Sequence, residues 1–273
     1  MRSFKWDTLI LLLFITVLSA CNTPRSQQGI SREARHHRGH AHNDYEHTRP
    51  LLDALANGFT NVEADIHLVD GTLLVAHDAD EVRPDRTLQS LYLDPLRARV
   101  QAHGGRVLPG ADSFILLIDI KTNAVGTYRA LESVLSQYRD ILTTYQGTSR
   151  SPGAVTVILS GNRPTSIVYR QHERLVAIDG RLPDIDLNRL PKTVMPLISD
   201  NWTNHFQWEG EGPVPASDQL KLNAVVEEAH RQGRMIRFWG NPDVPAFWQF
   251  AKENGIDLIN TDDLPGLNAH FRN

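Results

Sequence analysis

The sequence predicts an α/β fold, a single domain built as a (β/α)8 barrel of the TIM type. Two observations predict it. Short apolar runs alternate with amphipathic segments through most of the chain, and one run is continuous enough to be a strand covered on both faces, the mark of a parallel sheet. The 273 residues, 41% of them hydrophobic, can bury one large core and match the length of such a barrel. A doubly wound open sheet is the alternative.

The first residues read as an address. Arg2 and Lys5 form a basic region ahead of the apolar "TLILLLFITVLS", Thr8 to Ser19, too short to span a bilayer comfortably as a helix. The following Leu18-Ser19-Ala20-Cys21 resembles the bacterial lipobox, in which the cysteine becomes the lipidated first residue. Residues 1–20 are therefore expected to be a lipoprotein signal peptide. Residues 21–37 are the lipidated Cys21 and a polar, aperiodic tether, and 38–273 the barrel. This reading places the protein in a bacterial cell envelope, anchored to a membrane through Cys21, on the outer membrane where the host has one. Cys21 is the single cysteine, so no disulfide forms within the chain.

A first strand is expected to end near His40, His42 and Asn43. "NVEADIHLV" (61–69) and "TLLVAH" (72–77) read as strands joined by the turn Asp70-Gly71. "DSFILLIDIK" (112–121) is the nearly continuous apolar run, and 154–161, 193–199, 234–240 and 256–262 repeat the pattern. Helical patterns occupy 49–58, 127–142, 217–233 and 244–255. Gly58, Gly233 and Gly255 follow three of them, where a left-handed C-terminal cap is wanted. The formal charge of −4, from 28 basic and 32 acidic residues, gives no reason to expect nucleic acid as a partner.

In such a barrel, chemistry sits at the carboxyl ends of the strands. Glu63 and Asp65 are two apart on one strand and point the same way, at a cost of several kcal/mol unless something cationic compensates. Asp119 and Lys121 repeat the spacing on the next strand, and His77 ends the hairpin. Glu63, Asp65 and Asp119 make an oxygen-rich site suited to one divalent cation, Ca²⁺ or Mg²⁺.

These residues carry a resemblance. "GFTNVEADIHLVDGTLLVAHD" is similar to the glycerophosphodiester phosphodiesterase pattern of Gly, Glu-x-Asp and a hairpin ending in His-Asp, and "IDLINTDDLPGL" to that family's closing strand. "FILLIDIKT" resembles its third metal-ligand strand, and more closely the counterpart in spider-venom phospholipase D-like toxins. "HNDY" resembles the His-Asn start of phosphoinositide-specific phospholipases C. From about Gly39 to Leu267 the chain most resembles the PI-PLC-like phosphodiesterases, including the fungal altered-inheritance-of-mitochondria group, with "HAHNDY" followed by "RPL" and "DAL". The His-Arg-Gly and Pro-Glu-Asn signatures of typical glycerophosphodiesterases are absent, as is their inserted subdomain, which "EVRPDRTLQSLYLDPLRARVQAHGGRVLPGA" replaces.

The resemblance implies a metal-dependent phosphoric diester hydrolase or lyase acting on a glycerophosphodiester or phospholipid-type substrate. Two histidines would serve as acid and base, with a cyclic phosphate where the substrate has an adjacent hydroxyl. The His-Asn match makes His42 catalytic and Asn43 a metal ligand beside Glu63, Asp65 and Asp119. His77 is the partner of His42, and Lys121 neutralises a phosphate oxygen. His40 is the alternative first histidine and is otherwise grouped with Arg181, Trp202 and Trp239 as substrate-binding; Asp44 and Tyr45 are further rim candidates. Two rival readings are a zinc amidohydrolase-like barrel, with His40, His42 and Asp262 as ligands, and a non-catalytic envelope lipoprotein binding a phosphorylated ligand.

Overall fold

The computed structural model describes residues 37–187 and 189–272; the leader, Cys21 and nearly all of the tether lie outside the described residues. Nine strands join in one sheet, and all but Thr72–Val75 run parallel. These eight are β1 (His37–Ala41), β2 (Phe59–Val69), β3 (Phe114–Ile120), β4 (Val155–Gly161), β5 (Val176–Gly180), β6 (Leu197–Asn201), β7 (Met235–Trp239) and β8 (Leu258–Thr261). Each pairs with the next, and β1 pairs with both β2 and β8, so the sheet closes into a barrel. The helices alternate with them: α1 (Leu52–Ala56), α2 (Asp94–Ala102), α3 (Ala124–Ser136), α4 (Thr165–Arg170), α5 (Leu182–Leu187), α6 (Ala216–Arg231), α7 (Pro245–Glu253) and α8 (Leu264–Arg272). The expected (β/α)8 architecture is the observed one.

Alternation along each strand divides the apolar side chains into two sets. Val62, Ala64, Ile66, Leu116, Ile118, Val157, Ile178, Ile198 and Phe238 belong to the large core under the helices. Ile115, Leu117, Ile158, Ala177, Leu197 and Leu258, with Met235 against them, form a separate plug inside the barrel. Tyr145 joins that plug from a small antiparallel sheet of Thr144–Gln146, Ser149–Ser151 and Glu173–Arg174. Ile115 and Leu258 lie toward the starts of their strands, so apolar packing fills the amino-terminal end and the polar inward residues are left for the carboxyl end.

Several boundaries differ from the sequence expectation. β5, with its "VAIDG", and helices α2, α4, α5 and α8 were not anticipated. The strand expected at 193–199 begins only at Leu197, because Val194 and Met195 donate to the Pro191 carbonyl in a turn and Pro196 precedes the strand. α3 begins at Ala124, three residues early, because the Asn123 side chain accepts from the Gly126 amide and caps it.

Leu117→Ala, inside the fully buried plug, is expected to lower unfolding free energy by about 2–5 kcal/mol in urea titration. Leu220→Ala, at a position 71% exposed, should change it by less than about 0.5 kcal/mol.

Candidate active site

Glu63 sits near the top of the barrel interior, where two other strands supply its partners and a third holds one of them. His40 of β1 places Nε2 3.1 Å from Glu63 Oε2, and Arg237 of β7 donates from Nη2 to the same oxygen at 2.6 Å. Arg237 also donates to Asn260 Oδ1 of β8 from Nε at 2.9 Å and from Nη2 at 2.6 Å. Burial alone would raise the Glu63 pKa, but the Arg237 charge and the His40 contact hold it well below the usual carboxylate range. His40 is pushed down to about 4 by burial and then by Arg237, so it is neutral at pH 7.

One turn of alternation higher, Asp65 and Asp119 lie side by side in register on β2 and β3. Lys121 Nζ bridges them, 2.8 Å from Asp65 Oδ2 and 3.4 Å from Asp119 Oδ1. Tyr45 donates its hydroxyl to Asp65 Oδ2 at 2.7 Å and lies 2.9 Å from Asn43 Oδ1, which ties the expected ligand Asn43 to the same cluster. Burial, then the Glu63 charge, raises Asp65 to about 6 despite Lys121, and burial raises Asp119. Gly161, at φ +63°, ends β4 beside them; a Cβ there would stand 2.2 Å from Asp119 Oδ1, so only glycine leaves the carboxylate its place.

Oxygen atoms of Glu63, Asp65 and Asp119 all lie within 4.8 Å of one another. Asp65 Oδ1 is buried without a hydrogen-bond partner. Three hard oxygen donors, two of them in surroundings that resist their ionisation and one of these with an unpartnered buried oxygen, fit a divalent cation. Among the described residues the grouped ligands are these carboxylates, not the histidines a zinc amidohydrolase would use.

The two expected catalytic histidines lie at the same end of the barrel as the trio. β1 ends at Ala41, so His42 leaves the barrel wall toward the mouth, with Nδ1 2.8 Å from Asp262 Oδ1. Burial would lower its pKa, yet the Asp262 hydrogen bond and the Glu63 charge outweigh this and raise it. His77, just past the hairpin strand, has its side chain about half exposed (48%) and Nδ1 3.2 Å from Asp65 Oδ2. In both, a carboxylate faces Nδ1, which leaves Nε2 as the working nitrogen.

Three expectations need correction. His40 is fully buried between Glu63 and Arg237 and reaches no substrate; it orients Glu63. Trp202 is 1% exposed, stacked on Phe206 at 4.1 Å and donating to the Trp208 carbonyl, so it is core and not rim. Asp44 is likewise buried, accepting from Tyr92 Oη and the Leu51 amide, and is structural. Arg181 and Trp239 do meet at the mouth, the guanidinium carbon 4.7 Å above the indole.

Sequence reasoning missed Arg237, Asn260 and the buried Asp179, which accepts from Ser160 at 2.8 Å, from Ser199, and from Arg181 at 2.8 Å. The signal was present: each is a polar residue inside a short apolar run, the same sign that exposed Glu63 and Asp65.

Residues 28–179 match the AIM6-like phosphodiesterase domain. The chain belongs to the AIM6-like phosphodiesterase family. Its relatives in this family include the altered inheritance of mitochondria protein 6 homolog of Arthroderma benhamiae, 27% identical over 85% of this chain and 83% of that one. The Eremothecium gossypii protein of the same name is 29% identical over 84% of this chain and 68% of its own length. The fold is similar to that of a glycerophosphodiester phosphodiesterase from Agrobacterium tumefaciens, with a TM-score of 0.50, 16% identity, and coverage of 86% of this chain and 98% of the other. The AIM6-like relatives are fungal, and this overturns the expected location in a bacterial envelope. That expectation rested on the basic and apolar leader pattern together with the Leu18-Ser19-Ala20-Cys21 resemblance, whose meaning depends on a bacterial host.

A cation held at the trio would reverse the pH dependence of this site in the AIM6-like domain. Without one, the contribution of Asp65 is fully present below its ordinary value of 3.8 and is lost as pH rises through about 6, because the folded state favours its proton. A cation favours the carboxylate instead. The rise in Tm on adding Mg²⁺ or Ca²⁺ should therefore be large at pH 7.5, shrink as pH falls through about 6, and vanish in Asp65→Asn at every pH; differential scanning fluorimetry reads all three.

Proposed function

We propose that this AIM6-like domain is a divalent-cation-dependent phosphoric diester hydrolase or lyase for glycerophosphodiester or phospholipid-type substrates. One observation carries the reading: two histidines, each with Nδ1 against a carboxylate, share the carboxyl end of the barrel with a three-carboxylate cluster.

Glu63, Asp65 and Asp119, with Asn43 beside them, would hold the cation, and Ca²⁺ or Mg²⁺ suits oxygen donors. When bound, it offsets the phosphodiester charge that repels nucleophiles and favours charge building on the phosphoryl oxygens.

The chain's own groups supply the proton transfers. His42 holds its proton more firmly than an ordinary histidine, which suits the general acid that protonates the departing alkoxide from Nε2. As the new bond to phosphorus forms and the old one breaks, His77 Nε2 takes the proton of the attacking hydroxyl, from water or from a neighbouring hydroxyl of the substrate. The second route gives a cyclic phosphate. Tyr45 touches His77 Nδ1 at 3.2 Å as well as Asp65, and so fixes the ring against its carboxylate. Lys121 and Arg181 stand on the β3 and β5 sides of the mouth and supply positive charge to the phosphate oxygens. Asp179 and Trp239 hold the Arg181 fork in place.

Phosphorus NMR of the full chain with glycerophosphocholine, glycerophosphoinositol, phosphatidylinositol and a lysophospholipid, each in Mg²⁺, Ca²⁺ or EDTA, tests this. Turnover should occur with a cation, stop in EDTA, and fall by about 10²–10⁴-fold in His42→Ala and in His77→Ala. Turnover that persists in EDTA, or survives loss of both histidines, contradicts the mechanism.

A further inference from the structure

An open groove leads away from the carboxylate trio, between the loop after β3 and the loop after β4. It is lined by Lys121, Thr122, Asn123, Asn162 and Arg163, with Gly161 and Ala124 as its only side-chain-poor or apolar members. Asn162 donates to the carbonyls of Lys121 and Thr122, both at 3.2 Å, and so ties the two loops into one floor. Nothing in this lining would hold an acyl chain. It can hold a polar, hydrogen-bonding group continuous with a phosphate at the trio.

Arg163 is the unusual member. It is half-buried, donates from Nη1 to the Gly161 carbonyl at 3.0 Å, and has its Nε buried without a hydrogen-bond partner. Among the described residues it makes no ion pair within 4 Å, whereas neighbouring Arg181 takes the Asp179 carboxylate at 2.8 Å. Burial, then the like charge of Arg181, disfavours its charged form; Asp179, Asp184 and Asp119 help it only from a distance. A guanidinium kept partly out of water without a counter-ion is costly. A ligand that brings the missing anion removes that cost and gains a charge-assisted hydrogen bond.

We propose that this groove receives the alcohol part of the diester and selects one carrying a second anionic group, a phosphate ester or a carboxylate, seated on Arg163. The proposal rests on the phosphodiesterase reading, and it makes a choline head group the poorest occupant, because its cation would face Lys121 and Arg163.

Direct binding tests it without requiring turnover. Isothermal titration calorimetry of the full chain in Mg²⁺ would compare inositol 1,4-bisphosphate with inositol 1-phosphate, and O-phosphoserine with O-phosphoethanolamine. The member with the extra anion should bind about tenfold more tightly in at least one pair, the scale of one hydrogen bond to a charged group. The first pair reports a phosphate and the second a carboxylate. Arg163→Gln should bring the ratio close to one, while Arg163→Lys, which keeps the charge, retains part of it. Ratios near one in the native protein, no binding of either doubly anionic probe, or a ratio unchanged in Arg163→Gln would each overturn the proposal. If the selectivity is found but no diester is cleaved, the catalytic reading fails and the anion site stands.

Discussion

The mouth of the barrel is organised around the charge of Glu63, a carboxylate inside a closed sheet. Its ionised form is tolerable only because Arg237, His40 and Asn260 reach it or its partner from β7, β1 and β8. All of these side chains point inward at one height, so the network spans strands that are distant in sequence and meet only when the barrel is closed. Removing one member of such a buried pair costs about 3–5 kcal/mol, since the other charge is left in a region without water. The same network fixes where Glu63 can present its oxygens to a cation, so stability and chemistry draw on one set of contacts.

The carboxylates above it are compensated less completely. Among the described residues Lys121 is the one full positive charge in contact with both Asp65 and Asp119, and Asp65 still favours its proton up to about pH 6. A site that is too negative for its own cations, with an unused buried oxygen on Asp65, is poised for an external one. The apolar plug below, with Tyr145 packed against it, fills the interior beneath the carboxylates. The fold alone would not specify this chemistry; the residues that crown it do.

Much of this was legible in the sequence where charge interrupts an apolar run. Glu63, Asp65, Asp119 and Lys121 announce themselves by their two-residue spacing, and the structure brings them together. Asp179 and Arg237 carry the same sign but sit in "VAIDG" and "MIRFW", runs of five residues each, of which only the second was expected as a strand. The roles of His40 and His42 depend on where β1 ends, and a single residue of strand length decides which ring faces the interior. Trp202 lies one step beyond β6, where a tight 3-10 turn folds it back onto Phe206, Phe238 and Phe247. That packing belongs to the tertiary structure, and no local pattern signals it.

In the proposed mechanism Glu63, Asp65 and Asp119 form one cation site that governs the chemistry at the mouth. The most direct test is a crystal of the full chain soaked in Mn²⁺ and measured at the manganese absorption edge. One strong anomalous peak is expected, bonded to oxygens of all three carboxylates, with Lys121 drawn off Asp65. A peak between His42 and Asp262, or none at the trio, would contradict it.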